Sequence, residues 1–305
     1  MVHESSNASL AKRIARNMAA NSVEVRFAGF PNGEVKIIGD RIEAKSAVAV
    51  FPKIRDINKQ LIEFMLMCGL CEDCAAIFAV IPYIPYSRQN DSKARAMVSK
   101  ILGMCRVKSV ITVDIHNRKT FEKHDVINIL PHEIFADTMS ADISGDQSNQ
   151  IIVAPDIGAI YRAKKFANAY CMDMAVIDKN ARSIDRASAV ANKRCIIVDD
   201  IIDSGRTIKI AADILCSCNA ASLSALVSHG FFSPDSNGES LSFPQLDALY
   251  VSESFEVFGR ITHEHLTIAP LDRAISSALA QRCESTSLDK SASNPLQYDT
   301  CYVDP

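Results

Sequence analysis

Short runs rich in apolar and β-branched residues recur along this chain, and helix-like stretches separate many of them. The runs are Ala47–Phe51, Ala76–Ile81, Val107–Val113, Gln150–Ala154, Asp173–Ile177, Cys195–Val198, Ser222–Ser228 and Ala248–Val251. Continuous apolar strands are buried on both faces, which is the habit of parallel sheets. Helical patterns cover Asn58–Leu70, Ala94–Cys105, Pro131–Ser140, Gly158–Tyr170 and Gly205–Cys218. Strand alternating with helix predicts an α/β fold with central, mainly parallel sheets flanked by helices.

The chain has 305 residues, which suggests two domains at roughly 150 residues each. The polar, turn-rich stretch Ala141–Asn149 separates two strand–helix series. The expected units are therefore 1–143 and 144–283, with a polar tail, 284–305, expected to be poorly ordered. No internal repeat of about 20–50 residues is evident. A composition 48% hydrophobic and 23% charged supports a packed core and excludes general disorder. The net charge of −3 excludes a generic nucleic-acid coat, which needs surplus cations against phosphate. The longest apolar run, Cys74–Tyr86, contains Pro82 and Pro85 and is too short to span a membrane. Met1–Leu10 lacks the order of a secretory signal. The ten cysteines are expected as reduced thiols in a cytoplasm.

The sharpest motif follows the run Cys195–Val198. Asp199, Asp200 and Asp203 come at its end, and Ser204, Gly205, Arg206 and Thr207 open a helix. N–H groups at a helix N-terminus favour an anion. Gly205 permits close backbone approach, and Ser204 and Thr207 add hydroxyl donors. The acids would repel that anion, so a fitting ligand carries hydroxyls or a metal at its other end. A phosphorylated sugar satisfies both requirements. The stretch resembles the phosphoribosyl-diphosphate signature of type I phosphoribosyltransferases.

Five further segments carry a more specific resemblance. Ala79–Asn90, with Pro82, Tyr83, Pro85, Tyr86, Arg88 and Gln89, is similar to the nucleotide-site segment of the ribose-phosphate pyrophosphokinase (PRPP synthetase) family. Val113–His116 resembles that family's metal-binding strand end. Val153–Ala159 and Ala175–Lys179 resemble hallmarks of its second domain, and Gly29–Glu34 resembles its early adenine-contacting turn. The matches run in family order from about Ser6 to Leu279.

The resemblance implies two phosphoribosyltransferase-like domains and one reaction. ATP and ribose 5-phosphate give AMP and 5-phosphoribosyl 1-diphosphate, for nucleotide biosynthesis, with Mg²⁺ as cofactor. It implies ATP binding by Arg88, Gln89 and His116, completed by Phe30, Asn32, Gly33 and Glu34 of a neighbouring subunit in a homo-oligomer. Ribose 5-phosphate falls to Asp199, Asp200, Asp203, Ser204, Gly205, Arg206 and Thr207. Mg²⁺ falls to His116 and Asp156, and the catalytic cations are Lys179 and Arg182.

The chain also departs from the family. Asn32 and Asn90 stand where Asp is usual, and Arg206 interrupts a turn of small residues. Asn180–Arg194 is shorter than the family's catalytic flap, whose second basic position falls on Ala181, with Arg182 one residue on. These departures motivate two alternatives: a catalytically weak regulatory homologue, and a base phosphoribosyltransferase. Cys68, Cys71 and Cys74 have a spacing like part of an iron–sulfur run but lack a local fourth ligand, and are read as ordinary thiols. His263 and His265 alternate like strand residues and are read as surface histidines.

Overall fold

A computed structural model describes residues 1–52, 56–89, 92–117, 125–139, 147–233, 240–257, 261 and 263–288. Asn90, most of the divider at 141–149, most of the loop 233–242 and the tail from 289 lie outside the described residues.

The first half contributes strands β1 (Val2–Glu4), β2 (Val23–Gly29), β3 (Val35–Ile38), β4 (Ser46–Val50), β5 (Ala76–Ile81), β6 (Val107–Val113) and β7 (Asp125–Ile129). Its helices are α1 (Ala8–Asn17), α2 (Ile57–Leu70), α3 (Ser92–Met104) and α4 (Pro131–Ile134). The second half contributes β8 (Gln150–Ala154), β9 (Asp173–Asp178), β10 (Ser183–Ile184), β11 (Arg194–Ile202), β12 (Ser222–Gly230), β13 (Ala248–Ser252) and β14 (Leu266–Ala269). Its helices are α5 (Ile160–Ala169), α6 (Ala187–Val190), α7 (Arg206–Ser217) and α8 (Asp272–Leu288).

These strands form two seven-stranded sheets, ordered β3-β2-β1-β4-β5-β6-β7 and β10-β9-β8-β11-β12-β13-β14. Each is parallel except for one antiparallel hairpin at its edge, β2–β3 or β9–β10. The two orders are the same when each sheet is counted from its own first strand. The duplication is one of topology, at a period far longer than a short sequence repeat.

The central strands are buried on both faces, as their composition requires. In β5, Phe78 and Val80 enter one core, while Ile77, Ala79 and Ile81 enter another beneath α2 and α3. This is the alternation of a pleated strand. The first core is shared by both halves. Val80 and Ile111 of one sheet, Ile196 and Val198 of the other, and Ile14, Phe166 and Leu279 from α1, α5 and α8 belong to a single cluster. Helices α1, α5 and α8 thus fill the space between the sheets. Burial of that apolar surface, at about 25 cal/mol per Å², holds the halves together.

The helix α8 departs from the expected division. It follows the last strand of the second sheet, yet it packs on α1, β6 and β7 of the first half. Arg282 pairs with Asp125 of β7, and Arg13 of α1 pairs with Asp272. The helix also continues to Leu288, past the expected tail boundary at 283. Its apolar Ile275, Ala278 and Leu279 complete the layer that α1 begins.

Candidate active site

In an open parallel sheet, ligands bind beyond the strand carboxyl ends where the strand order reverses. In the second sheet that point lies between β8 and β11. Strand β8 delivers Asp156, and β11 delivers Asp199, Asp200 and Asp203. The turn into α7 follows. Gly205 caps that helix at φ +74°, in the left-handed region, and a Cβ there would lie 2.7 Å from Phe243 Cζ. Both conformation and space therefore call for glycine. The N–H groups of the first turn of α7 have no partner within the helix, and Arg206, Thr207 and Ile208 line the crevice.

A cleft of about 550 Å³ opens here. Its lining includes Asp156, Lys179 and every residue from Asp199 to Ile208, with Arg88 and His116 from the first half. Lys179, from the turn after β9, places Nζ 2.5 Å from Asp156 Oδ2 and 3.4 Å from Thr207 Oγ1. Asp156 Oδ1 accepts the Ala159 N–H at 3.1 Å, so the same side chain caps a 3-10 turn and holds the lysine. Arg88 donates from Nη1 to Asp203 Oδ2 at 2.7 Å, and its guanidinium lies 5.9 Å from the Phe231 ring centroid. His116 Nδ1 lies 2.5 Å from Asp200 Oδ2.

The halves meet closely around this cleft. Tyr83, from the segment bearing Arg88, sets its ring edge-on to His229 at 5.1 Å and to Phe231 at 4.8 Å. His229 Nε2 donates to the Val113 carbonyl at 3.1 Å. The corresponding crevice of the first sheet, between β1 and β4, is nearly filled. Asn7 there donates to the Phe51 carbonyl, and Phe255 of the second half closes the space.

Residues 1–104 match the N-terminal domain of ribose phosphate pyrophosphokinase, and residues 125–245 match the phosphoribosyl transferase domain. The chain is 29% identical to a ribose-phosphate pyrophosphokinase of Buchnera aphidicola subsp. Schizaphis graminum, over 95% of this chain and 96% of that protein. It is 27% identical to one from Thermosipho africanus, over 85% of each. The phosphoribosylpyrophosphate synthetase of Mycobacterium smegmatis shares the fold, at a TM-score of 0.78 and 20% identity, over 93% of this chain and 99% of that one. The chain belongs to the ribose-phosphate pyrophosphokinase family.

For a ribose-phosphate pyrophosphokinase chain, the cleft gathers some of the expected residues and not others. Arg88, His116, Asp156, Lys179 and Asp199 to Thr207 share its walls. Arg182 does not. It sits at φ +48° and lines a separate groove with Asp213 and Cys218. Gln89 closes a turn onto the Tyr86 carbonyl and is not part of the lining. Phe30, Asn32, Gly33 and Glu34 form the β2–β3 turn at the far sheet edge. There the Glu34 N–H donates to Asn32 Oδ1 at 3.2 Å, and Phe30 is 48% exposed.

The two adjacent acids within β11 differ sharply. Burial and the adjacent Asp200 charge push Asp199 well above the usual carboxylate range. Burial acts on Asp200 in the same sense, but His116 and Arg162 outweigh it and hold that carboxyl below its ordinary value. Burial thus favours the protonated form of Asp199, while the His116 and Arg162 contacts favour the ionised form of Asp200.

Sequence reasoning missed Arg162 and Phe231, and placed Asp114 only within the Val113–His116 strand end, without a role of its own. A signal for Arg162 exists in the pattern of α5. Ala159, Ala163, Phe166 and Ala167 mark a buried face, and Arg162 falls among them as a lone charge. Among the described residues, no three His, Cys, Asp or Glu side chains converge on one metal position. Cys68, Cys71 and Cys74 are buried in the core beneath α2. Residues 264 and 265 form a turn, with β14 starting one residue later, so the strand reading of His263 and His265 does not hold.

Proposed function

We propose that this chain transfers a diphosphate group from ATP to ribose 5-phosphate, giving AMP and 5-phosphoribosyl 1-diphosphate. The observation that supports this reading is the single cleft joining a helix-terminus anion loop and Lys179 to Arg88 of the other half. In the reaction the anomeric hydroxyl oxygen attacks the β-phosphorus of ATP. The bond from that phosphorus to the α-bridging oxygen breaks, and the hydroxyl proton is lost.

The 5-phosphate binds the N–H groups opening α7, with the Ser204 and Thr207 hydroxyls beside them. Arg206 adds a cation at the same turn. The sugar hydroxyls face Asp199 and Asp203, whose carboxyl oxygens accept their hydrogen bonds. Lys179 already stands between the acid pocket and Thr207. Its ammonium moves onto the diphosphate oxygens as charge develops there. Arg88 takes the donor through a planar fork suited to phosphate or to the adenine face.

Asp156 and His116 offer one hard oxygen donor and one imidazole at the cleft wall. So sparse a donor set fits Mg²⁺, which keeps several waters and takes few protein ligands. Bound there, Mg²⁺ would neutralise phosphate oxygens of the donor. The exposed β2–β3 turn, remote from its own chain's cleft, serves the donor site of a neighbouring copy, so the working form is a homo-oligomer. No described helix is long and apolar enough to cross a membrane.

The test is direct. Purified protein, ATP, ribose 5-phosphate and Mg²⁺ should yield AMP and 5-phosphoribosyl 1-diphosphate in equal amounts. Formation of AMP no faster than with a Lys179→Ala variant would overturn the reading. A second reading, a homologue that binds these ligands without turnover, is favoured by the placement of Arg182 outside the cleft. It predicts calorimetric binding of ATP and no AMP.

A further inference from the structure

Four side chains close a ring across the boundary between the halves. Asp114 and His116 leave the end of β6, Arg162 comes from the first turn of α5, and Asp200 comes from β11. Arg162 Nε donates to the Asp114 oxygens at 3.1 and 3.2 Å, and its Nη2 lies 3.0 Å from Asp200 Oδ2. That same oxygen meets His116 Nδ1 at 2.5 Å. The backbone from Asp114 to His116 completes the circuit. The ring is anchored from outside as well. Ser228 Oγ donates to Asp114 Oδ2 at 2.6 Å, and Arg162 Nη1 donates to the Gly158 carbonyl at 3.0 Å.

Every member except His116 is buried, with Asp114 at 2%, Asp200 at 5% and Arg162 at 6% exposure. Asp114 also sits at φ +35°, a conformation that a non-glycine residue holds only when its surroundings impose it. Arg162 belongs to the cleft wall, but three of its nitrogens are committed to Asp114, Asp200 and Gly158. Its task is therefore to hold acids rather than substrate. The guanidinium is a rigid planar fork, so it sets the spacing between the two carboxylates it bridges. A lysine carries a point charge and cannot do so.

We propose that Arg162 is a positioning residue that locks the donor half of the cleft, through Asp114 and His116, in register with the pentose half, through Asp200. This rests on the functional reading above. It predicts that loss of the fork displaces His116 against the pentose loop without altering the phosphate-binding turn of α7.

The experiment uses Arg162→Lys, Arg162→Met and Asp114→Asn, each checked for folding by circular dichroism and thermal melting. Turnover and Michaelis constants are measured for both substrates, and ribose 5-phosphate affinity is measured by calorimetry. A misplacement of this kind lowers kcat on the order of a hundredfold. Affinity for ribose 5-phosphate should hold within about threefold, because the anion site at the start of α7 is untouched. Asp114 lines no part of the cleft, so the same split in Asp114→Asn cannot come from lost substrate contact. That variant also carries the test if Arg162→Met does not fold. Wild-type kcat in Arg162→Lys or Asp114→Asn, or ribose 5-phosphate binding lost in step with kcat, would overturn the inference. No turnover by the wild-type protein would instead overturn the functional reading on which it rests.

Discussion

Arg88 and Asp203, 115 residues apart, are paired at 2.7 Å across the boundary between the two halves. In the proposed function Arg88 serves the nucleotide and Asp203 the pentose, so this contact ties the two proposed binding elements together. Burial pushes the Asp203 carboxyl up, but Ser233 and Arg88 together hold it below its ordinary value. The pair is half exposed, at 47% and 32% of the side chains. An ion pair of that exposure contributes no more than about 1 kcal/mol to folding. Asp203→Asn should therefore shift a urea unfolding curve by less than about 1 kcal/mol. It should weaken ribose 5-phosphate binding far more, by about tenfold or greater, as expected for a lost charged hydrogen bond. Calorimetry beside the unfolding curve tests the contrast, and equal effects on both would contradict the assigned role.

Gly205→Ala should destabilise the protein and remove the anion site together. The φ of +74° is costly for alanine, and its Cβ would meet the buried Phe243 ring at 2.7 Å. Strain of this kind costs about 1–3 kcal/mol. The turn would reopen to relieve it, withdrawing the N–H groups of α7. A lower urea midpoint with undetectable ribose 5-phosphate binding is the expected result, and unchanged affinity would refute it.

The parts of this fold legible in the sequence are those buried on both faces. Strands β5, β6, β8 and β11 announce themselves because each carries a run of apolar and β-branched residues, nearly all of them buried. Strands β2, β3, β7 and β14 do not, since they lie at or near sheet edges and expose much of their surface. Their polar residues erase the continuous signal. Helix α8 reads as an unremarkable alanine- and serine-rich stretch because its partners, α1 and β7, lie far back in the chain. The same distinction governs the site. Asp199 to Thr207 form one contiguous motif, so local chemistry suffices to find them. Arg162 acquires its meaning only from Asp114, which arrives from the other sheet, and no local pattern around either residue names the other.

Lys179→Ala should abolish most turnover while leaving the fold intact. The ammonium is held between Asp156 and Thr207 in the cleft wall, and the proposed function assigns it to the transferred diphosphate. Removing a group that stabilises developing charge lowers kcat by about 10²–10³-fold. Its pairing with Asp156 is partly exposed and contributes little to stability. The expected pattern is a melting temperature near wild type, Michaelis constants within a few-fold, and kcat down by that factor. A variant retaining half of wild-type kcat would remove Lys179 from the catalytic machinery.

The buried His229 should make the fold acid-sensitive well above the carboxylate range. Complete burial pushes its pKa down from 6.5 to about 4, and its Nε2 proton is committed to the Val113 carbonyl across the boundary. Between pH 6.5 and 4 the unfolded chain takes up a proton at this site and the folded chain does not. Stability is therefore full above pH 6.5 and falls as the solution is acidified, by a total on the order of 3 kcal/mol. Asp200, held below its usual value, adds a loss of its own only once the pH drops past about 3.8. Asp199, pushed up by burial and by Asp200, acts in the opposite sense, because the folded chain holds that proton above the pH at which the unfolded chain releases it. The histidine step is therefore read as the difference in slope between the wild-type protein and His229→Gln. Unfolding curves between pH 7.5 and 4.5, chosen as roughly the span of the histidine step, should show the slope in the wild-type protein. It should flatten in His229→Gln, whose amide can still donate to Val113 but does not titrate. An equally steep slope in that variant would assign the acid sensitivity to another group.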